Sequence, residues 1–230
     1  MNLYDVAYHH ATAHGVLTAV HIPDSAEPVP DAILNRLHAD EAAVARTLRG
    51  YRQVQFVGGR IALRRACEQI GARPGPILPD HRGTPLISGG LSASVSHKRE
   101  IAIGMVASNK QGTLGVDVEE YAPMRLKIAD QILTPHEVAC IADQPDERRW
   151  ISMLIRFSIK ESIYKALDPY VRRYVGFHEA TVTPDLHGAA AVTLNLKNGE
   201  GPFEVDARYC WLRGRLLTSV RIQPAGQATL

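Results

Sequence analysis

Two carboxylates stand two residues apart in Gly115-Val116-Asp117-Val118-Glu119. On a strand, successive side chains point to opposite faces, so Leu114, Val116 and Val118 would bury one face while Asp117 and Glu119 project together from the other. Paired carboxylates repel, and a hard cation such as magnesium removes that penalty, binding through one or two carboxylates plus substrate phosphates. Taken alone, the pentapeptide is better explained by two solvated acids at an exposed strand end. A second run, Phe157-Ser158-Ile159-Lys160-Glu161-Ser162-Ile163-Tyr164-Lys165, has helical spacing. Ile159, Ile163, Ala166 and Leu167 fall on one side, and Glu161 and Lys165, at i and i+4, share another with Ser158 close by. A surface Glu–Lys pair is the ordinary explanation for such spacing. It fits poorly here, because Trp150, Met153, Leu154, Ile155 and Phe157 make the preceding turns apolar on most sides. The third run, Ser94-Val95-Ser96-His97-Lys98, puts hydroxyls and an imidazole at a turn between two strands, where side-chain and backbone donors can meet a phosphate. Adjacent strand residues face opposite ways and no acid partner stands out, which argues against a serine nucleophile.

The elements that must position these residues can be read from periodicity. A strand-like N-terminal segment ends at the Pro23–Pro30 stretch. From Asp31 to Gly71 apolar residues recur at helical spacing, as two helices broken near Gly50, and Gly71 with Pro74, Pro76 and Pro79 closes the region. Ala93–Val95, Ile101–Ala107 and Leu114–Glu119 read as strands. Helices begin near Thr134-Pro135 and near Pro145, the second running to Leu167 before Asp168-Pro169 stops it. Ala191–Leu196, Glu204–Leu212 and Leu216–Ile222 read as antiparallel strands separated by Asn198-Gly199 and Arg213-Gly214 turns. Strands and helices in clusters, without strict alternation, indicate an α+β fold. The boundary between halves falls between residues 108 and 135, giving 1–120 and 121–230.

Bulk properties exclude several classes. With 230 residues, 45% hydrophobic and 22% charged, the chain has the profile of a globular protein. Its apolar runs are too short to span a bilayer, and its start has no basic region followed by an apolar run, so a cytoplasmic protein without membrane partners is expected. Cys67, Cys140 and Cys210 make neither a disulfide framework nor a zinc spacing. His9, His10, His14 and His21 suit no definable site. Net charge is only +2, yet Arg36, Arg46, Arg49, Arg52, Arg60, Arg64, Arg65 and Arg73 crowd one segment, which suits a polyanion. Near-neutral charge and 6% aromatic residues speak against a nucleic-acid partner.

Taken together, the three runs resemble the 4′-phosphopantetheinyl transferase superfamily, in its larger single-chain class acting on carrier proteins of secondary metabolism. Gly59-Arg60 with Arg52, His81-Arg82-Gly83-Thr84-Pro85 and Leu133-Thr134-Pro135-His136-Glu137 add looser blocks, and the likeness spans roughly residues 30–180. The resemblance implies two similar α+β halves in a pseudo-twofold arrangement, an active site in the cleft between them, and a monomer. It implies transfer of the phosphopantetheine arm of coenzyme A to a serine of an apo acyl or peptidyl carrier protein, with adenosine 3′,5′-bisphosphate leaving. Asp117, Glu119 and Glu161 would ligate Mg2+. Glu161, or a water, would take the serine proton, and Lys165 would sit against the diphosphate. Arg52 and Arg60, eight positions apart and so about two helical turns, would meet the 3′-phosphate with Arg82, Ser96 and His97. Arg49 and Arg64 are substitutes if the register slips by a turn. Carrier helices are usually acidic, so Arg125, Lys127, Arg148 and Arg149 are candidate docking residues. The alternatives are a magnesium-dependent phosphodiester or nucleotide hydrolase, and a noncatalytic module binding carrier proteins or coenzyme A.

Overall fold

A computed structural model describes residues 2–122 and 125–226, and the chain divides into two compact units, Met1–Lys110 and Gln111–Leu230. Each unit is an antiparallel sheet carrying one long helix, so the α+β expectation holds. No helix among the described residues is long and apolar enough to cross a membrane.

In the first unit, β1 (Val6–Thr12) and β2 (Gly15–His21) form a hairpin where the sequence showed only one strand-like segment. Next come α1 (Asp31–Leu34), α2 (Ala39–Thr47), α3 (Gly50–Gln69), a two-residue pair β3 (Leu78–Pro79) and β4 (Pro85–Leu86), then β5 (Leu91–Lys98) and β6 (Ile101–Ser108). The sheet runs in the order β1-β2-β6-β5. Gly50, at φ 57°, starts α3 where the periodicity broke. The helix can lie close on β6 because Gly104 has no side chain: a Cβ there would stand 2.6 Å from the Leu63 backbone nitrogen. Strand β5 extends through Lys98, so Ser96 and His97 are strand residues, with the turn only at Arg99 and Glu100. Full pairing of Lys98 with Ile101 carries the ladder past the expected end of the strand.

The second unit begins with β7 (Thr113–Glu120), followed by α4 (Ala129–Ile132), α5 (Pro135–Ile141), α6 (Asp146–Val171), β8 (Ala180–Pro184), β9 (Ala189–Leu194), β10 (Phe203–Leu212) and β11 (Arg215–Pro224). Its sheet order is β7-β11-β10-β9-β8. This order moves the boundary. A division at residue 120 would leave β7 in the first half, but β7 pairs with β11 from Thr113↔Ile222 to Glu120↔Arg215, so its backbone bonds belong to the second sheet. Helix α6 also runs past Pro169 to Val171 and ends at Arg172, which is left-handed. Proline removes one backbone donor and disfavours helical geometry before it, yet the preceding turn is buried through Ala166, Leu167 and Asp168 and holds the helix together. Helix α5 starts as its sequence indicates. Thr134 accepts from the Glu137 N–H, Glu137 accepts from the Thr134 N–H, and Pro135 occupies the first turn.

Candidate active site

Strand β7 carries the acids, and both of its faces are covered: Asp117 is 5% exposed and Glu119 8%, while Leu114, Val116 and Val118 are buried as well. Two solvated acids at a strand end are therefore ruled out. Asp117 faces α6, where Ser158 Oγ donates to its Oδ2 at 2.8 Å and Lys165 Nζ donates to its Oδ1 at 2.9 Å. Lys165 also donates to the Val116 carbonyl at 2.9 Å. The helix comes this close because position 115 is glycine; a Cβ there would stand 1.8 Å from the Ser162 carbonyl oxygen. Ile159, Ile163, Ala166 and Leu167 enter the hydrophobic core with Trp150, Met153, Leu154 and Ile155, as the helical spacing indicated. The stripe Ser158, Glu161, Ser162 and Lys165 thus follows one helix face whose two ends touch Asp117.

Glu161 is half-buried and opens on a cavity of about 170 Å3, whose walls include Tyr164, Tyr174, Val175 and Phe177. Tyr164 packs on Tyr174 and Phe157 on Phe177, with centroids 6.0 and 5.5 Å apart. The segment bearing Tyr174 and Phe177 is tied down by an ion cluster. Arg173 bridges Glu179 at 2.7 Å and Glu200 at 2.6 Å, and its guanidinium holds both carboxyls down at about 2. Lys160, one position before Glu161, is committed elsewhere: its Nζ donates to Glu137 Oε2 at 2.6 Å and to the Ile132 carbonyl at 2.8 Å. Burial lowers its pKa, opposed by Glu137. This pair joins α5 to α6, and Glu137 accepts from the Val182 N–H as well.

In the first unit, Arg52, Arg60, Ser96 and His97 line a single cavity of about 320 Å3, together with Phe56, Gln55 and Gly83. Arg60 is fixed there. Its Nε donates to the Ile77 carbonyl at 2.6 Å, and its guanidinium stacks 4.4 Å from the Phe56 ring centroid. Burial pulls its pKa down to about 10, against the attraction of Glu41, so it remains cationic at neutral pH. The substitutes are otherwise engaged. Arg64 forms a forked pair with fully buried Glu41 at 2.6 and 2.9 Å, and Arg49 caps the carbonyls of Arg46 and Leu48. Glu41 also accepts from the Ile77 N–H, so Ile77 is clamped through both of its backbone groups. Arg82 lies in a turn organised by Asp80, whose Oδ1 accepts from the N–H groups of Arg82 and Thr84. Arg82 is not among the cavity walls, although its neighbour Gly83 is.

Asp117 and Glu119 offer hard oxygen donors on one strand face, the type a divalent magnesium ion takes. Among the described residues, no three His, Cys, Asp or Glu side chains are gathered as a ready group for a metal. A magnesium ion commonly completes its shell from substrate phosphates and water, so two buried carboxylates suit it better than they would suit zinc. Sequence reasoning missed Phe56, Glu41, Thr218 and the aromatic cavity wall. Thr218 gave no local signal, because it reaches the site only through the pairing of β11 with β7, where it stands opposite Asp117.

Residues 113–218 match the model of the 4′-phosphopantetheinyl transferase superfamily, and residues 39–107 match that of the 4′-phosphopantetheinyl transferase N-terminal domain. The chain belongs to the 4′-phosphopantetheinyl transferase superfamily. Among relatives, it is 29% identical over 218 residues to the 4′-phosphopantetheinyl transferase Svp of Streptomyces mobaraensis, covering 86% of this chain and 84% of that one. It is 26% identical over 177 residues to the transferase Npt of Nocardia iowensis, covering 73% of this chain and 72% of that one. The ACPS–CoA complex of Chronobacterium ammoniagenes aligns over 49% of this chain and 96% of its own, with 19% identity and a TM-score of 0.38. The superfamily match contains Asp117, Glu119, Glu161 and Lys165, and the N-terminal match contains Arg52, Arg60, Arg82, Ser96 and His97.

Proposed function

We propose that this chain is an enzyme that transfers the 4′-phosphopantetheine arm of coenzyme A to a serine of an apo acyl or peptidyl carrier protein, releasing adenosine 3′,5′-bisphosphate. The observation that carries the reading is the buried pair Asp117 and Glu119 set against the α6 face that bears Glu161 and Lys165. Burying two carboxylates is costly unless cationic charge compensates them, and Lys165 brings one such charge to Asp117.

In this reading Asp117, Glu119 and Glu161 would hold Mg2+, which when bound would neutralise charge on the diphosphate of coenzyme A. Lys165 adds a positive charge to the same diphosphate and stabilises the departing bisphosphate. Glu161 accepts the proton of the carrier serine hydroxyl, directly or through a water, as that oxygen attacks the β-phosphorus. The bond from phosphorus to the bridging oxygen breaks, and the adenosine bisphosphate leaves with it. Positioning and electrostatics supply most of the acceleration in phosphoryl transfer. The cavity walled by Tyr164, Tyr174 and Phe177 offers an apolar place for the pantetheine arm beside Glu161. In the first unit, Arg52 and Arg60 would meet the 3′-phosphate, with Ser96, His97 and Arg82 donating around it; a guanidinium suits forked phosphate contacts.

An acidic carrier helix would dock on Arg125, Lys127, Arg148 and Arg149, with the enzyme acting as a monomer. Arg149 is already turned toward Asp146, 3.1 Å away, and is the least available of these. Intact-mass analysis of an apo carrier protein incubated with the chain, coenzyme A and magnesium tests the proposal. A gain of one phosphopantetheine arm, abolished by chelation and by Glu161→Gln, is expected. Absence of coenzyme A binding would overturn it.

A further inference from the structure

Three hydroxyls are buried where α6 meets β7 and β11: Ser158, Ser162 and Thr218. Burying a hydroxyl costs free energy unless it finds a partner, and the core that α6 packs into is largely apolar. Alanine and valine would fill the same space. The hydroxyls are instead linked in a chain. Ser162 Oγ stands 2.7 Å from Thr218 Oγ1, which stands 3.0 Å from Ser158 Oγ and 2.9 Å from the Ser158 carbonyl oxygen. Ser158 Oγ donates to Asp117 Oδ2 at 2.8 Å.

Each hydroxyl has one proton, which sets the direction of the chain. Ser158 commits its proton to Asp117, so toward Thr218 it can only accept. Thr218 gives its proton to Ser158, at the hydroxyl or the carbonyl, and therefore accepts from Ser162. When Thr218 donates to the Ser158 hydroxyl at 3.0 Å, rather than to the Ser158 carbonyl at 2.9 Å, the protons run toward the carboxylate, and hydrogen bonds arranged in one direction polarise and strengthen one another. On its other side Asp117 is held through Oδ1 by Lys165.

We propose that Ser158 and Thr218 are positioning residues, which fix and polarise Asp117 so that it meets a divalent cation already oriented. The inference rests on the reading of Asp117 as a metal ligand. Groups that orient ligands typically change metal affinity by about 10- to 100-fold. A structural role alone would lower the melting temperature without weakening the metal.

The test measures Mn2+ binding to the full chain by electron paramagnetic resonance, with coenzyme A present and without carrier protein, against a blank of coenzyme A and Mn2+ alone, alongside thermal melting. Ser158→Ala is expected to weaken binding at least about tenfold. Thr218→Val, which keeps the volume and removes the hydroxyl, should weaken it by a smaller factor, about three- to fivefold if the effect fades along the chain. Thr218→Ser, which keeps the hydroxyl, should bind within about twofold of the unmodified protein, since its hydrogen bonds persist. Binding by folded Ser158→Ala within twofold of the unmodified chain would overturn the inference and leave the metal reading intact. So would equal weakening by Thr218→Ser and Thr218→Val, a comparison that decides the matter even if Ser158→Ala does not fold. No Mn2+ binding by the unmodified chain would sink the metal reading and this inference together.

Discussion

The two units solve the same packing problem and put different charge on the solution. In each, a long helix lies on an antiparallel sheet and comes closest at a strand glycine, Gly104 under α3 and Gly115 under α6. On α3 the polar stripe is cationic. Arg60 is anchored by a carbonyl and a ring, while Arg64 is bound to Glu41, so one arginine lines a cavity and its neighbour one turn along braces the loop at Ile77. On α6 the stripe faces a buried carboxylate and consists of two hydroxyls, an acid and a lysine. In the proposed function, the first face would meet substrate phosphate and the second a divalent cation.

Breaking the half proposed to be catalytic should have the largest effect. Glu161→Gln keeps the size of the side chain and removes its charge; transfer should fall about a thousandfold, within the range for loss of a general base. Loss of less than tenfold, measured as kcat, would assign the proton to another group. Gly115→Ala tests whether close helix approach is shared by both units. With the Ser162 carbonyl 1.8 Å from the added carbon, backbone must move, and stability should drop by about 3 kcal/mol. Gly104→Ala, with its nearest atom at 2.6 Å, should cost less; denaturant melts that reverse the order would break the parallel.

Arg52→Ala sharpens the substrate half. The KM for coenzyme A should rise about tenfold with kcat little changed, as for loss of one charged hydrogen-bonding group. With 3′-dephospho-coenzyme A the variant should match the unmodified chain; an equal loss there would mean that Arg52 does not read the 3′-phosphate. The smallest effect concerns acid stability. Arg173 depresses Glu179 from 4.5 to about 2 in the folded chain, so the pair contributes fully above the unfolded value near 4.5 and is lost as pH falls toward about 2. Arg173→Met should make melting temperature less dependent on pH across that window. An unchanged slope would show that the pair contributes nothing there.

Much of the candidate site on α6 and β7 was legible because helical and strand periods put side chains on known faces. Asp117 and Glu119 had to share a face, and so did Ser158, Glu161 and Lys165. The start of α5 was legible too, since a capping box is local chemistry. Long-range pairing was not. The assignment of β7 to the second unit follows from its ladder with β11, a hundred residues away, and Pro169 inside α6 was tolerated because burial outweighed a local preference. Arg64 and Arg60 are indistinguishable by type and spacing, and only the position of Glu41 separates brace from cavity wall.

Sequence alone determined the α+β class, the identity of the acids and the arginine-rich helix, because these depend on residue type and on periods of two and 3.6. Tertiary structure decided which arginines line a cavity, where one unit ends, and that Thr218 stands opposite Asp117. Those depend on register and burial, which couple residues far apart in the chain, and no local preference encodes them.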